Sequence, residues 1–368
     1  VIQHLRLRNF KAVGERPMEL DLAPLTLLVG ANGSGKSSVL EAAGVLAETA
    51  AGSDNTLGIT VSGDRVSFPS VDLTFHDRDS DRVMVLGITV SPGSDRHRSI
   101  CYSAEVSKPR DLRGSWLSSQ FLSEGAVGGG SRLLAQIKSA RLESPGIGRS
   151  AQLVLGDGQW VGQPSYAERL LHSLSFQPNV GLDAANQPAQ EAARQAMLSL
   201  IDYLVERTVF LSGVRSADLF VREVGPAAVR TGRFGEQTIR VINIVQAAAK
   251  QRDGWRRIVA WADRFGLHGL TGGWVGNNEL AVSFLDPKSG TQLPLTSAAG
   301  GSQRLLPLLV DAFSGTPPRT IFIDEIEEAA HPDWQILIAE LLAEIVKTGN
   351  QVVATTQSPT MVLAVCAA

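Results

Sequence analysis

Hydrophobic and polar residues alternate at the start of the chain, where Ile2, Leu5 and Leu7 stand among polar neighbours, and again in Met18-Glu19-Leu20-Asp21-Leu22. Alternation with a period of two predicts short, half-buried strands. Leu25-Thr26-Leu27-Leu28-Val29 is apolar almost throughout, as suits a strand covered on both faces. Over residues 37–50 the period changes, and Val39, Leu40, Ala43, Leu46 and Ala47 recur at helical spacing. Strand-like runs return in Val71-Asp72-Leu73-Thr74-Phe75, Val83-Met84-Val85-Leu86-Gly87-Ile88-Thr89-Val90 and Ile100-Cys101-Tyr102-Ser103, separated by Asp/Arg/Ser-rich turns. They predict an antiparallel β meander over residues 54–106. Between about 107 and 200 the pattern loosens, with glycines over 125–130, then Pro145, Gly146, Gly148 and Gly156-Asp157-Gly158-Gln159-Trp160. Short helices are expected at 131–141, 166–175 and 188–206, and no heptad is sustained, which excludes a long coiled coil.

The second half alternates strands and helices. Thr208-Val209-Phe210-Leu211-Ser212 reads as a strand running into Gly213-Val214-Arg215. A helix is expected from about 236 to 265, with Trp255, Ile258, Val259, Ala262 and Phe265 on one face and Arg252, Arg256, Arg257 and Arg264 elsewhere around it. A solvated face is the ordinary meaning of such arginines, and a DNA-contacting patch the alternative. Pro318-Arg319-Thr320-Ile321-Phe322-Ile323 is an apolar strand closed by Asp324-Glu325. Pro332 then opens a helix whose core stripe is Trp334, Ile338, Leu341, Leu342 and Ile345, Gly349 ends it, and Gln351-Val352-Val353-Ala354-Thr355-Thr356 forms the next strand.

Chemistry enters at Gly30-Ala31-Asn32-Gly33-Ser34-Gly35-Lys36-Ser37-Ser38, which joins a predicted strand to a predicted helix with the spacing G-x-x-x-x-G-K-[ST]. In such a loop glycines allow a tight turn, and backbone N–H groups converge on an anion at a helix N-terminus. Gly30, Asn32, Gly33, Ser34, Gly35, Lys36, Ser37 and Ser38 are therefore the candidate ATP-binding residues, with Lys36 reaching the β- and γ-phosphates and the Ser37 hydroxyl on Mg²⁺. In a buried parallel strand, acids belong at the carboxyl end, where ligands of open α/β sheets bind. Asp324 is expected to hold the Mg²⁺ shell, typically through water, and Glu325 to act as general base towards the attacking water. Upstream, Leu295-Thr296-Ser297-Ala298-Ala299-Gly300-Gly301-Ser302-Gln303 is a small-residue turn opening an apolar helix. It reads as a second anion site or as a plain helix cap.

Composition narrows this little. The chain has 368 residues with 34 Lys+Arg against 37 Asp+Glu, so nucleic-acid contact would need a local patch rather than a global field. Cys101 and Cys366 sit in no metal or redox spacing and read as reduced, structural thiols. The charged first twenty residues exclude a signal-peptide core, and no apolar run reaches the length of a membrane span. A soluble cytoplasmic protein is the expectation.

The phosphate loop, the Gly300-Gly301-Ser302-Gln303 turn with its leucine-rich helix, the 321–325 strand followed by His331-Pro332, and Thr355-Thr356-Gln357-Ser358-Pro359 occur in a fixed order. The set resembles the ABC-type AAA ATPases grouped with the RecF, structural-maintenance-of-chromosomes and overcoming-lysogenization-defect (OLD) proteins, in the form of an OLD-like head without a nuclease domain. Leu5-Arg6-Leu7-Arg8-Asn9-Phe10-Lys11 is similar to that family's first strand, and residues 210–215 to a strand ending in arginine. The resemblance covers roughly residues 1–106 and 207–368. It implies an α/β ABC-type P-loop ATPase head, with a mixed central sheet, helices and the β meander, carrying an inserted, mainly helical arm. The corresponding parts are an N-terminal lobe (1–106), the arm or lid (107–206) and a C-terminal lobe (207–368).

The resemblance also implies a homodimer, extendable to higher oligomers, with heads packed head to tail around ATP, so that Gly300, Gly301 and Ser302 would meet the γ-phosphate of the partner's nucleotide. The turn departs from the usual Ser-Gly-Gly order, and Ser297 stands nearby as another hydroxyl. Family members usually carry His at the switch position occupied here by Gln357, a catalytic candidate that donates a hydrogen bond but carries no proton. Slow hydrolysis and long-lived ATP-bound dimers follow as expectations. Nine residues follow Pro359, where family heads usually add another element, so a truncated, short or partner-completed head is expected. The implied function is a Mg²⁺-dependent ATPase that gates action on DNA or on a separate effector or nuclease protein, in DNA repair or antiphage defence. A slow- or non-hydrolysing scaffold is the alternative, and a transporter ATPase subunit a weaker one.

Overall fold

In the computed structural model the described residues are 1–51, 61–62, 67–68, 76, 82–92, 98–107, 116–126, 131–140, 150–155, 159–162, 187–213, 230–248, 251–275, 279–315, 318–328 and 330–368. They form β1 (Ile2–Arg8), β2 (Met18–Asp21), β3 (Leu25–Val29), α1 (Lys36–Ala51), β4 (Val61–Ser62), β5 (Ser67–Phe68), β6 (Met84–Val90) and β7 (Arg98–Ser107). Next come β8 (Trp116–Ala126), β9 (Ser131–Ala140), β10 (Ser150–Leu155), β11 (Gln159–Gly162), α2 (Gln187–Glu206) and β12 (Thr208–Leu211). The chain closes with α3 (Thr238–Ala247), α4 (Arg252–Arg264), β13 (Thr271–Val275), β14 (Glu279–Leu285), β15 (Gln292–Pro294), α5 (Gly300–Phe313), β16 (Thr320–Ile323), α6 (Pro332–Lys347), β17 (Gln351–Thr356) and α7 (Pro359–Ala367). Two compact units result, one of Val1–Ala23 with Gly33–Thr208, the other of Pro24–Asn32 with Val209–Ala368.

The first unit is built on an eight-stranded sheet in the order β11-β10-β9-β8-β7-β6-β1-β2, antiparallel at every pairing. β1 buries Ile2, Leu5 and Leu7, as its alternation requires. α1 packs on β1 and β6, α2 packs on β8, β9 and β10, and the two helices touch each other. All five residues of the predicted α1 stripe are buried, and α2 buries Ala193, Ala196, Met197, Leu200, Tyr203 and Leu204 at i, i+3, i+4 and i+7 spacing. Full burial of each larger aliphatic side chain contributes roughly 1.5–3 kcal/mol relative to exposure.

The mainly helical arm expected over 107–206 is not what forms. Four strands, β8 to β11, extend the meander to residue 162, and only α2 is helical among the described residues of that stretch. The helix expected at 131–141 is strand β9, and the misleading signal has a local cause. Leu122 pairs with Ala135 but Ser123 with Leu133, so Leu134 is an extra, unpaired residue, a β-bulge. The bulge buries the neighbours Leu134 and Ala135 together, and the Leu133, Leu134, Ile137 spacing then imitates a helix turn. The expected 188–206 helix is present as α2, whereas residues 166–175 and the expected 71–75 strand lie outside the described residues.

The second unit holds a four-stranded sheet in the order β12-β16-β17-β3, in which β16–β17 and β17–β3 are parallel. The expected α/β head with an antiparallel meander is thus present, the meander lying in the eight-stranded antiparallel sheet and the phosphate-loop strand in the sheet with parallel pairs. Every residue of β12, β16 and β17 is buried, which is why their sequences read as continuous apolar runs rather than alternations. Phe210 and Phe322 stack across β12 and β16 with ring centroids 4.6 Å apart. A three-stranded antiparallel sheet, β13-β14-β15, carries α3 against β13 and β14. The helix expected over 236–265 is interrupted: α3 ends at Ala247, Ala248 is extended, and α4 starts at Arg252.

One buried polar cluster ties this unit together. The Asp311 carboxylate on α5 accepts from the Thr231 N–H at 3.1 Å and from the Thr231 hydroxyl, with the Arg319 guanidinium 3.5 Å away. Burial pushes the Asp311 carboxyl above its usual range, and Arg319 opposes the shift only in part. Asn350 completes the cluster, accepting from the Arg319 N–H at 2.8 Å and donating to the Ala312 carbonyl at 3.1 Å.

Candidate nucleotide site

Residues 30–35 connect the end of β3 to the first residue of α1, which is Lys36. Gly33 and Gly35 have φ of +80° and +93°, a left-handed backbone that glycine adopts without steric cost. A Cβ on Gly33 would meet nothing within 4 Å, whereas one on Gly35 would lie 3.3 Å from the Ala12 Cβ. The loop is therefore open at Gly33 and backed at Gly35 by the turn over residues 9–14. That turn is itself fixed: the Asn9 N–H donates to Gly14 O at 2.9 Å, the Asn9 side-chain amide donates to Val83 O at 2.9 Å, and the Lys11 ammonium pairs with Glu41 on α1. Asn32, Gly33 and Ser34 are exposed, Gly30, Lys36 and Ser37 half-buried, and Ser38 buried against the unit's interior.

An open glycine loop feeding a helix N-terminus fits a polyphosphate. Among the described residues, no group of three or more His, Cys, Asp and Glu is arranged to hold a metal.

The second unit brings Asp324, Glu325 and Gln357 together at the carboxyl ends of β16 and β17. The Asp324 N–H donates to Leu211 O at 2.9 Å, which holds the end of β16 beside β12. The Thr355 hydroxyl donates to Asp324 Oδ1 at 2.6 Å and accepts from the Glu325 N–H at 2.8 Å. Glu325 has φ of +46°, a left-handed conformation costing of order 1–3 kcal/mol in a residue with a side chain. Gln357 Nε2 donates to Glu325 Oε1 at 3.0 Å, and the Gln357 N–H donates to Glu327 Oε1 at 2.7 Å. Gly213 leaves the room this needs, since a Cβ there would lie 3.1 Å from both Cβ and Oε2 of Glu325. Val214 and Arg215, the end of the expected arginine strand, lie outside the described residues.

Gly300, Gly301 and Ser302 form the first turn of α5, whose N-cap, Ala299, supplies no side-chain hydrogen bond. Gly300 is exposed with nothing within 4 Å of an added Cβ, while Gly301 is buried. The Ser302 hydroxyl donates to Phe265 O at 2.7 Å inside the core, so an anion at this turn would meet the backbone N–H of Ser302 and not its hydroxyl. Ser297, the other hydroxyl near the turn, is exposed.

Three arginines of α4 are ion-paired. Arg257 meets Glu344 at 2.8 Å, Arg264 meets Glu340 and lies 4.3 Å over the Trp261 ring, and Arg256 pairs with Asp253 at 3.4 Å. Cys101 and Cys366 are both free thiols. Among the described residues no helix is long and apolar enough to cross a membrane. Sequence reasoning assigned no role to Thr355, Glu327 or Gly213. The signal for Thr355 was a hydroxyl at the end of an otherwise apolar buried strand, which needs a polar partner.

No curated protein matches the chain. The SMC head domain from Thermotoga maritima aligns over 99% of this chain and 91% of its own, at 13% identity and a TM-score of 0.43. An Smc head bound to the C-winged helix domain of ScpA aligns over 99% and 91%, at 14% identity and a TM-score of 0.45. An Smc head with an extended coiled coil, bound to the C-terminal domain of ScpA derived from Pyrococcus furiosus, aligns over the same shares at 12% identity and a TM-score of 0.42. The family described as "AAA domain, putative AbiEii toxin, Type IV TA system" matches residues 25–148 and 161–363, a span that takes in the phosphate loop, the α5 turn and the acid end of β16. The chain therefore belongs to that AAA family and is an ATP-binding, AAA/ABC-type ATPase domain.

Proposed function

We propose that the protein binds ATP with Mg²⁺, hydrolyses it slowly, and dimerises around it to gate a partner effector or an action on DNA. Lys36 neutralises the β- and γ-phosphates and the loop N–H groups hold them. By resemblance to the family, the Ser37 hydroxyl and, through water, Asp324 would hold Mg²⁺, which would supply charge neutralisation at the phosphates. Glu325 takes the proton of the attacking water as it adds to the γ-phosphorus and ADP leaves. The observation that carries this reading is the acid end of β16, where one hydroxyl links Asp324 to the Glu325 backbone and Gln357 holds the Glu325 carboxylate. Two acids that merely ended a strand would not require a left-handed glutamate bonded on both sides.

By resemblance to the family, a second copy closes the site with the first turn of α5, through the N–H groups of Gly300, Gly301 and Ser302. The family's description as a type IV toxin–antitoxin domain supports the defence setting, with a separate protein partner, over repair. A cytoplasmic location goes with that setting.

Lys36→Ala is expected to abolish ATP binding, read with a fluorescent ATP analogue. Glu325→Gln is expected to keep binding and lower turnover by about 100-fold or more, a loss of about 2.7 kcal/mol of transition-state stabilisation. Binding unchanged in Lys36→Ala, or turnover unchanged in Glu325→Gln, would contradict these roles.

A nucleotide-gated scaffold that barely hydrolyses ATP is the second reading, favoured by the Gln357 bond, which occupies the glutamate that would otherwise accept the proton. It predicts that Glu325→Gln leaves the lifetime of the ATP-bound dimer unchanged, whereas hydrolysis-driven release predicts a much longer one.

A further inference from the structure

Thr355 sits near the end of β17, fully buried, in register with Leu28 of β3. Its hydroxyl donates to Asp324 Oδ1 at 2.6 Å and accepts from the Glu325 N–H at 2.8 Å. A hydroxyl both donates and accepts strongly on a single atom, and here both capacities are used on consecutive residues. The Thr355 carbonyl adds a third tie, accepting from the Ile326 N–H at 3.1 Å. Residues 324, 325 and 326 are thus each bonded to Thr355, and the middle one is the glutamate whose φ of +46° turns the chain. Gln357, two residues along, holds the far end of the same glutamate at 3.0 Å.

We propose that Thr355 is the positioning residue for ATP hydrolysis: its hydroxyl sets the direction of the Asp324 carboxylate and locks the left-handed turn that aims Glu325. The inference rests on the reading of Asp324 and Glu325 as the metal-shell and proton-accepting pair. A hydroxyl serving only to satisfy the core would stabilise the fold without distinguishing turnover from binding. Thr355 distinguishes them, because both groups it holds act on the reacting end of the nucleotide and neither grips the rest of it.

The test compares Thr355→Val, which keeps the branched shape and removes the bridge, with Thr355→Ser, which keeps the hydroxyl. Thr355→Val is expected to lower kcat by about 10–100-fold, the usual effect of losing a group that orients a metal-site carboxylate. KM for ATP and the affinity for a fluorescent ATP analogue should stay within about threefold. The Mg²⁺ concentration for half-maximal turnover should rise. Independently of activity, the Glu325 amide should lose hydrogen-exchange protection in nucleotide-free Thr355→Val, because its acceptor is gone. Thr355→Ser should restore kcat to within about threefold and restore the protection. Unchanged kcat and Mg²⁺ requirement in Thr355→Val, or equal losses in Val and Ser, would overturn the proposal.

If Thr355→Val does not fold, Thr355→Ser still decides: near-native kcat supports the hydroxyl bridge, and a tenfold loss overturns it. Glu325→Gln, measured alongside, separates the two levels. Turnover unaffected by Glu325→Gln sinks the acid-pair reading itself. Turnover abolished by Glu325→Gln but unaffected by Thr355→Val sinks only the role of Thr355.

Discussion

Two carboxyl environments in the second unit contrast, one half-buried and one enclosed. At Asp324 and Glu325 the carboxylates stand at strand ends where a ligand can reach them, and the surrounding hydroxyl and amide donors orient them. At Asp311 the carboxylate is enclosed, bonded to Thr231 and beside Arg319, with its pKa raised by burial. The folded value lies above the unfolded one, so as pH rises the unfolded chain loses this proton first. The stability that the Asp311 carboxyl contributes is full below its unfolded pKa of about 4 and is lost as pH climbs through the folded value. The unfolding free energy of the protein, measured relative to Asp311→Asn by urea denaturation, is therefore expected to fall over the interval above about pH 4. A difference that is flat or rises over that interval would contradict the assignment. At this scale the placement of the phosphate loop between β3 and α1 and of the acid pair at the end of β16 was legible in the sequence, because both motifs depend on spacing within a few residues. Thr355 was not assigned, because its partners are some thirty residues away in the chain and only the β16–β17 pairing brings them together.

Among the elements, those with an uninterrupted pattern were read correctly. The α1 stripe, the β16 and β17 runs and the His331-Pro332 start of α6 all form where expected, and His331 caps α6 by accepting from the Asp333 N–H. The failures have local causes: a bulge at Leu134 that mimics helical spacing, and an extended Ala248 that interrupts the single helix expected over 236–265. A third element, α7, has the signal of a capped helix in Ser358-Pro359, and the Ser358 hydroxyl accepts from the Met361 N–H at 3.3 Å. Packing between elements is sharpest where α4 crosses α5, since a Cβ on Gly254 would lie 2.1 Å from the Phe313 carbonyl oxygen. Gly254→Ala would ordinarily favour a helix but must here push two backbones apart. It is expected to destabilise by about 1–3 kcal/mol, seen as a lower urea midpoint at an unchanged slope. A stabilised variant would show that the two helices do not approach this closely.

For the whole molecule, fold class was legible before sheet membership. The strands that precede the phosphate loop in sequence part company: β1 and β2 join the antiparallel sheet, β3 joins the parallel pairs, and one of the boundaries between units falls between Asn32 and Gly33. Pairing of that kind is set by partners far along the chain, which periodicity does not report. In the proposed composite site, one subunit's phosphate loop needs the α5 turn of another. Gly300 is the residue on which to test it, because it is exposed and an added side chain meets nothing, while an acid in the first turn favours the helix. The most direct measurement is sedimentation velocity of Glu325→Gln, with and without Gly300→Asp, in ATP and Mg²⁺. Glu325→Gln is predicted to form a dimer that requires ATP, and the double variant to bind ATP with similar affinity yet remain monomeric. A monomer in both, or an ATP-dependent dimer in both, would contradict the composite site.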